Sequence, residues 1–199
     1  MRFLAHCLIL AVAVLSASGP VAAVEPRLRE VEPGTKSAPL AALLAQPDIE
    51  YDMSKLPAPV ARLRDQLMDA ARSGDLDRLK PIIEGNDMVP KFSFGDEEDP
   101  IAFWKDVSGD GQGREVLAIM LEVLQAGFVR TMRENEPVTY VWPYFAEIPL
   151  SGLTPKQEVE LYTLVTAQDR RDMEDFGAYN FFRLGIAEDG QWLYFVAGD

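Results

Sequence analysis

The sequence predicts an α+β domain in which helices pack on a small antiparallel sheet of three or four strands that ends in a C-terminal hairpin. Three observations predict this fold class. Apolar residues recur at helical spacing through the first half of the chain, and runs of β-branched and aromatic residues typical of strands dominate its end. Asp189-Gly190, a preferred hairpin turn, separates the last two of these runs.

The composition is that of a folded and acidic protein. Of the 199 residues, 48% are hydrophobic and 26% are charged, which is ordinary for one globular domain with a tail. The 19 basic residues stand against 32 acidic ones, so the net charge is −13. Such a surface repels phosphate backbones and anionic lipid headgroups, and we expect neither nucleic acid nor a membrane surface as a partner.

Residues 1–23 are predicted to be an export signal. Arg2 supplies a basic start, residues 3–15 form an apolar stretch, and Val21-Ala22-Ala23 offers the small residues that a signal peptidase recognises before Val24. The alternative is an uncleaved anchor, but about 13 apolar residues are too few to span a bilayer, which takes roughly 20. The mature protein is therefore expected to be periplasmic or secreted.

Removal of this signal restricts the available chemistry. The only histidine, His6, and the only cysteine, Cys7, both lie within it. The mature chain then has no imidazole and no thiol, which excludes Ser-His and Cys-His catalysis, disulfides and zinc held by His or Cys. We expect no cofactor and no bound metal.

Residues 24–57 are predicted to be an extended leader, because six prolines lie between positions 24 and 59. Compact folding is expected to begin near Ala58, and a single α+β domain is predicted over residues 58–199. The leader itself has an alternative interpretation as a tether that joins the domain to a structural partner.

Helical spacing and capping signals predict the helices in order. The first spans residues 60–71, and a second over residues 75–83 is kinked or restarted by Pro81. A short helix over residues 100–106 has proline in its first turn. The run over residues 114–126 is apolar around most of its circumference, which predicts a central buried helix.

The second half of the chain continues with one more helical region and the strands. Thr154-Pro155-Lys156-Gln157 predicts a capped helix start, and a further helical turn ends at Gly177. Strands are predicted over residues 89–94 and 138–145, and Pro143 within the latter predicts a position at the sheet edge.

The last two strands, residues 179–187 and 191–196, form the predicted hairpin. A two-residue turn at Asp189-Gly190 fixes the register. The cross-strand pairs are then Ala187 with Trp192, Gly185 with Tyr194, and Arg183 with Val196. Alternation assigns the following side chains to the core face: Phe182, Leu184, Ile186, Leu193 and Phe195.

Six residues form a predicted ligand-binding surface. They comprise three aromatic residues that project from one side of their strand and three residues on the non-core side of the hairpin: Tyr140, Trp142, Tyr144, Arg183, Trp192 and Tyr194. If the two strands are neighbours, these rings and one cation suit a sugar, a peptide or a small acid. The alternative is that a helical layer covers each face and the rings belong to the core.

Two acidic stretches are the remaining candidates for a functional site. The loop from Asp106 to Gly111 matches the opening of a calcium-binding loop, but Leu117 stands where a bidentate glutamate is required, so we favour a flexible interhelix loop. The turn Asp96-Glu97-Glu98-Asp99 offers a general acid–base pair, or else it is solvated and Asp99 caps the next helix. Nucleophile motifs and a P-loop are absent from the sequence.

Three stretches together carry a resemblance, namely residues 70–76, residues 94–104 and the C-terminal residues 189–199. From about Ala58 onward the chain resembles uncharacterised exported proteins of alphaproteobacteria, a family with no established activity to transfer. Its helix pair, strand and terminal Asp-Gly-x-Trp hairpin are also similar in part to the NTF2-like fold, which hosts both enzymes and binding domains. Catalytic members of that fold often use a His–Asp pair, and the mature chain has no histidine.

These observations predict an exported, non-enzymatic binding or interaction protein that recognises an unknown small ligand or protein partner through its aromatic surface. The alternative is a carboxylate-dependent hydrolase that uses the acids near Asp96–Asp99. A deep pocket with two acids of separated pKa values would favour the enzyme, and an open aromatic face would favour binding.

Overall fold

The computed structural model describes residues 47–198, which contain six α-helices and one five-stranded antiparallel sheet that ends in a hairpin. The predicted α+β class is confirmed. The predicted export signal and most of the predicted leader lie outside the described residues. Within residues 47–198, no helix is both long enough and apolar enough to cross a membrane.

The helices follow the spacing and capping signals of the sequence. They are α1 Ala58–Arg72, α2 Lys80–Glu84, α3 Pro100–Val107, α4 Arg114–Gln125, α5 Pro155–Leu161 and α6 Ala167–Phe176. Shorter 3-10 helices span Met53–Lys55, Leu76–Leu79 and Tyr144–Glu147. Asp99 caps α3 by accepting the N–H groups of Ile101 and Ala102, and Thr154 with Gln157 forms a capping box at α5.

The strands are β1 Ile49–Glu50, β2 Phe128–Thr131, β3 Thr139–Trp142, β4 Arg183–Ala187 and β5 Trp192–Val196, and their order in the sheet is the order in the chain. The sheet therefore begins inside the segment predicted as leader. Residues 89–94 form only one bridge, from Lys91 to Tyr194. β3 is a central strand, so the predicted edge position is wrong, and Pro143 follows the last residue of β3.

Two hydrophobic cores lie on opposite faces of the sheet. On the front face, α1, α3 and α4 cover side chains of β2 to β5 such as Trp142 and Trp192. On the back face, the segment from Tyr144 to Tyr179, which includes α5 and α6, covers Val129 and Val141 of β2 and β3. The back-face core contains no side chain of β4 or β5.

The hairpin has a different turn from the predicted one. The N–H of Ala187 donates to the carbonyl of Gln191 at 2.9 Å, and the Ala187 carbonyl accepts the N–H of Gly190 at 2.8 Å. Ala187 is thus paired with Gln191 and not with Trp192, and the loop contains three residues. Trp192 then lies opposite Ile186, and a bulge at Leu193 restores the predicted pairs Gly185 with Tyr194 and Arg183 with Val196. As a result, Trp192 takes the core position that alternation assigns to Leu193.

Candidate functional site

The structure buries four of the six residues predicted to form an aromatic surface. Tyr140, Trp142 and Trp192 belong to the front-face core, with exposed fractions of 6%, 0% and 1%, and Tyr144 is fully buried in the back-face core. Trp192 stacks on Trp104 of α3, with ring centroids 5.8 Å apart. These four rings do not form an open surface, and the interpretation as core residues holds for them.

The other two predicted residues, Arg183 and Tyr194, lie together on the uncovered part of the back face. They line a groove of about 330 Å³. We call it the basic groove, and its lining residues are Lys91, Phe94, Arg133, Ala146, Glu147, Arg183, Tyr194 and Val196. The sheet supplies the floor through β4 and β5, and residues from three other segments form the walls.

Tyr194 lies flat across the floor because its cross-strand partner has no side chain. A Cβ atom built on Gly185 would lie 2.3 Å from Cζ and 2.7 Å from Oη of Tyr194. No side chain fits in that space, so glycine at position 185 is what allows the ring to cover β4. The phenol therefore lies against the sheet and does not point away from it.

Lys91 is held at the groove by main-chain pairing. Its N–H donates to the carbonyl of Leu193 at 2.9 Å, and its own carbonyl accepts the N–H of Phe195 at 2.8 Å. The Lys91 ammonium lies 4.1 Å from the centroid of the Phe94 ring, a cation–π contact. A backbone fixed to β5 thus positions one cation and one half-exposed aromatic ring at the same wall.

Basic side chains outnumber acidic ones in the groove. Lys91, Arg133 and Arg183 line it together with a single carboxylate, that of Glu147. Arg133 binds this carboxylate at 2.7 Å and also lies 3.6 Å from Glu136. Burial lowers the pKa of Arg133, but the attraction of these carboxylates outweighs burial and the pKa is raised.

Tyr194 is kept in its protonated form. Burial, followed by the charge of Glu147, raises the pKa of Tyr194 to about 12, although Arg183 and Arg133 act in the opposite direction. Its hydroxyl has no hydrogen-bond partner among residues 47–198. The groove therefore contains a phenol that can donate a hydrogen bond at neutral pH, close to two guanidinium groups.

Sequence reasoning missed Lys91, Phe94, Arg133 and Glu147. These residues come from segments that are distant in sequence, and only the pairing of residue 91 with β5 and the position of the Tyr144–Glu147 3-10 helix bring them together. Lys91 could have been found from the sequence, because it lies within the strand predicted over residues 89–94, and a strand there would be expected to pair with the sheet.

Two carboxylates of the acidic turn, those of Glu97 and Glu98, line a shallow pocket of about 360 Å³, but the groups around them do not favour acid–base catalysis. Asp99 is engaged as the cap of α3, as the sequence suggested, and Glu97 accepts a hydrogen bond from the Ser93 hydroxyl. This bond is the main cause of the lowered pKa of Glu97, whereas a general acid needs a raised one. All four carboxylates of the turn are exposed.

The loop that partly matches a calcium site is closed by its own hydrogen bonds. Asp110 accepts from the Ser108 hydroxyl at 2.6 Å and from the N–H of Gln112, and Glu115 accepts the N–H of Gly109. Across residues 47–198, no group of three or more acidic, histidine or cysteine side chains is placed to hold a metal ion.

No protein-family model matches the sequence, and comparisons with curated proteins and with solved structures find no significant similarity. The resemblances to exported alphaproteobacterial proteins and to the NTF2-like fold therefore stay predictions.

Proposed function

We propose that this protein is an exported, non-enzymatic binding protein that holds a small organic acid in the basic groove. The observation that carries the proposal is the convergence of Lys91, Arg133, Arg183 and the Tyr194 hydroxyl on one groove of a protein whose net charge is −13. A concentration of basic groups against such a background favours a negatively charged ligand at this place.

The chemistry of the groove favours a carboxylate attached to an aromatic or apolar body. Guanidinium groups match the geometry of a carboxylate, and a phenol adds one more donor. The exposed ring of Phe94 and the flat ring of Tyr194 offer apolar contact beside these donors. The volume of about 330 Å³ lies at the lower end of the range for small-molecule sites.

The groove also supports a binding role over a catalytic one. Its one carboxylate, Glu147, already binds Arg133 at 2.7 Å, and its phenol is held protonated. The phenol is therefore not a base at neutral pH, and the carboxylate is engaged by a guanidinium group.

Benzoate is a suitable probe, with benzamide as the control, because benzamide keeps the ring and planar group but carries no charge. We expect benzoate to bind more tightly than benzamide in isothermal titration calorimetry at low salt. Lys91→Gln and Tyr194→Phe should each weaken benzoate binding by about tenfold, the loss expected for one hydrogen bond to a charged group.

Arg171→Gln is the matched control variant, because Arg171 is an exposed arginine of α6 that lies outside the groove. It should leave benzoate binding unchanged. Equal affinity for benzoate and benzamide, or an equal loss in Arg171→Gln and Lys91→Gln, would contradict the proposal.

The exported location has its own test. Protein recovered from the periplasm or medium of an export-competent host should begin at or within a few residues of Val24, as intact mass spectrometry would show. Soluble protein in that fraction that still begins at Met1 would contradict processing at this position.

A further inference from the structure

A second and larger cavity lies outside the basic groove and shares no lining residue with it. This cleft of about 610 Å³ is formed by one face of α1, the segment from Arg78 to Asn86, and the turn of the β4–β5 hairpin. We call it the helical cleft. The part of its lining that bears on its chemistry consists of Arg62, Gln66, Asp69, Arg78, Ile82 and Asp189.

The basic groups of the helical cleft are uncommitted, whereas its acidic groups are engaged. Asp69 binds Arg72 at 3.3 Å, and Asp189 accepts the N–H of Gln191 at 3.1 Å. The side chains of Arg62 and Arg78 have no hydrogen bond or ion pair to any of residues 47–198. The charged groups of the cleft that stay available to a ligand are therefore the two guanidinium groups, each of which has five N–H donors.

The walls of the cleft are held in place by contacts that do not involve these two arginines. The Nδ2 of Asn86 donates to the Trp192 carbonyl at 2.9 Å, and the Trp192 N–H donates to Asn86 Oδ1 at 2.8 Å. The hairpin turn packs closely on the start of α1, because a Cβ atom on Gly190 would lie 2.9 Å from Cβ of Pro59. Ligand binding would therefore need to order the two arginine side chains but not the walls of the cleft, which lowers its cost.

We propose that the helical cleft binds a phosphate group, either as inorganic phosphate or as a small phosphate ester. Two guanidinium groups from separate elements suit a tetrahedral dianion, because each can donate two parallel hydrogen bonds to its oxygens. The side chain of Ile82, with Pro59 and Leu63, lines the cleft beside them and offers apolar contact to the organic part of an ester. The net charge of −13 disfavours extended polyphosphates such as nucleic acid but leaves a single phosphate group able to reach the two guanidinium groups, since Arg72 and the turn at Gln191 already engage the two aspartates of the cleft.

Amide NMR spectra of the isotope-labelled protein test this proposal, with inorganic phosphate and phenyl phosphate as the probes. Both should shift the amide signals of Gly85, Asn86 and Gly190 at the cleft while leaving unchanged the signal of Gly185, which lies beneath Tyr194 of the basic groove. Tighter binding of phenyl phosphate would identify an ester as the preferred form, and equal binding would identify the free anion.

Arg62→Gln and Arg78→Gln should each weaken phosphate binding by about tenfold or more, and the double variant should abolish the shifts. Lys91→Gln is the control, since Lys91 lines the other site. It should weaken benzoate binding alone, so that failure of one site is distinguishable from failure of the other.

Three results would overturn the proposal. One is the absence of shifts at about 10 mM phosphate, a concentration ten times the roughly 1 mM dissociation constant that even a weak site should reach. Another is a set of shifts located away from the cleft. The third is phosphate binding of unchanged strength in the Arg62→Gln and Arg78→Gln double variant.

Discussion

The two faces of the β4–β5 hairpin differ in burial: the front face is covered, whereas part of the back face stays accessible. On the front face, Trp192 and Phe195 are buried beneath α3 and its neighbours. On the back face, Tyr194 and Arg183 remain at the surface of a groove, because α5 and α6 cover β2 and β3 but not the hairpin. The comparison shows that aromatic residues at neighbouring strand positions become either buried in the core or accessible in a groove, and that the extent of the covering layer decides which.

The largest expected effect concerns the front face. Trp192→Ala should lower the free energy of unfolding by about 3–5 kcal/mol, since it removes a fully buried ring that stacks on Trp104. Leu193→Ala, at the bulge between the two faces, should cost only about 1 kcal/mol because that side chain is partly exposed. Urea denaturation of both variants measures the difference, and equal losses would mean that Leu193 is as deeply buried as Trp192.

The next effect concerns the close contact between the Tyr194 ring and Gly185 on the back face. Gly185→Ala should destabilise the protein by about 1–3 kcal/mol, because the added methyl group collides with the phenol ring. In a Tyr194→Ala background the same substitution should cost less than about 1 kcal/mol, since the ring that it meets is gone. A double-mutant cycle in urea checks this coupling. Additive costs would show that the ring does not rest on Gly185.

Much of the fold followed from local signals in the sequence. Helical spacing predicted α1 and α4, and capping residues such as Asp99 and Thr154 marked the helix starts. β1 was missed because two residues give no periodicity, and β2 because its four residues directly follow a helix. Both strands form because they pair with other strands of the sheet, and a local sequence pattern carries no information about that pairing.

The candidate site was predicted only in part, for two physical reasons. The sequence Glu188-Asp189-Gly190 suits both a two-residue and a three-residue turn, and the choice between them moves Trp192 from one face to the other. Alternation along β3 placed Tyr140 and Trp142 on the same face of the strand but did not identify the helices that bury them. Arg183 and Tyr194 stayed accessible because the back-face covering ends before the hairpin.

Two tyrosines extend the comparison between covered and open parts of the protein. Tyr144 is fully buried, and its hydroxyl donates to Glu160 at 3.0 Å, whereas the Tyr194 hydroxyl has no partner among residues 47–198. Tyr144→Phe should therefore cost about 1–2 kcal/mol of unfolding free energy, and Tyr194→Phe less than about 0.5 kcal/mol.

Urea denaturation at neutral pH measures both substitutions, each of which removes a single oxygen atom. The expected result is a stable Tyr194→Phe protein that has lost affinity for benzoate. A loss of stability in Tyr194→Phe equal to that in Tyr144→Phe would instead give the Tyr194 hydroxyl a structural role.

The smallest expected effect on the free energy of unfolding comes from the ionisation of Tyr194 and appears only in alkaline solution. Because burial raises the pKa of Tyr194 to about 12, above the value near 10 of an unfolded chain, its contribution to stability is fully present below about pH 10 and is lost as the pH rises toward 12. Between about pH 9 and about pH 11 the wild type should lose about 1 kcal/mol more than Tyr194→Phe, since the unfolded phenol ionises first. Urea denaturation across this range measures the difference, and other titrating groups, including the buried Tyr144 and Tyr179, are common to both proteins. A difference that does not change with pH would place the pKa of Tyr194 near 10, as for a ring open to water, and would contradict the burial of its phenol against the sheet.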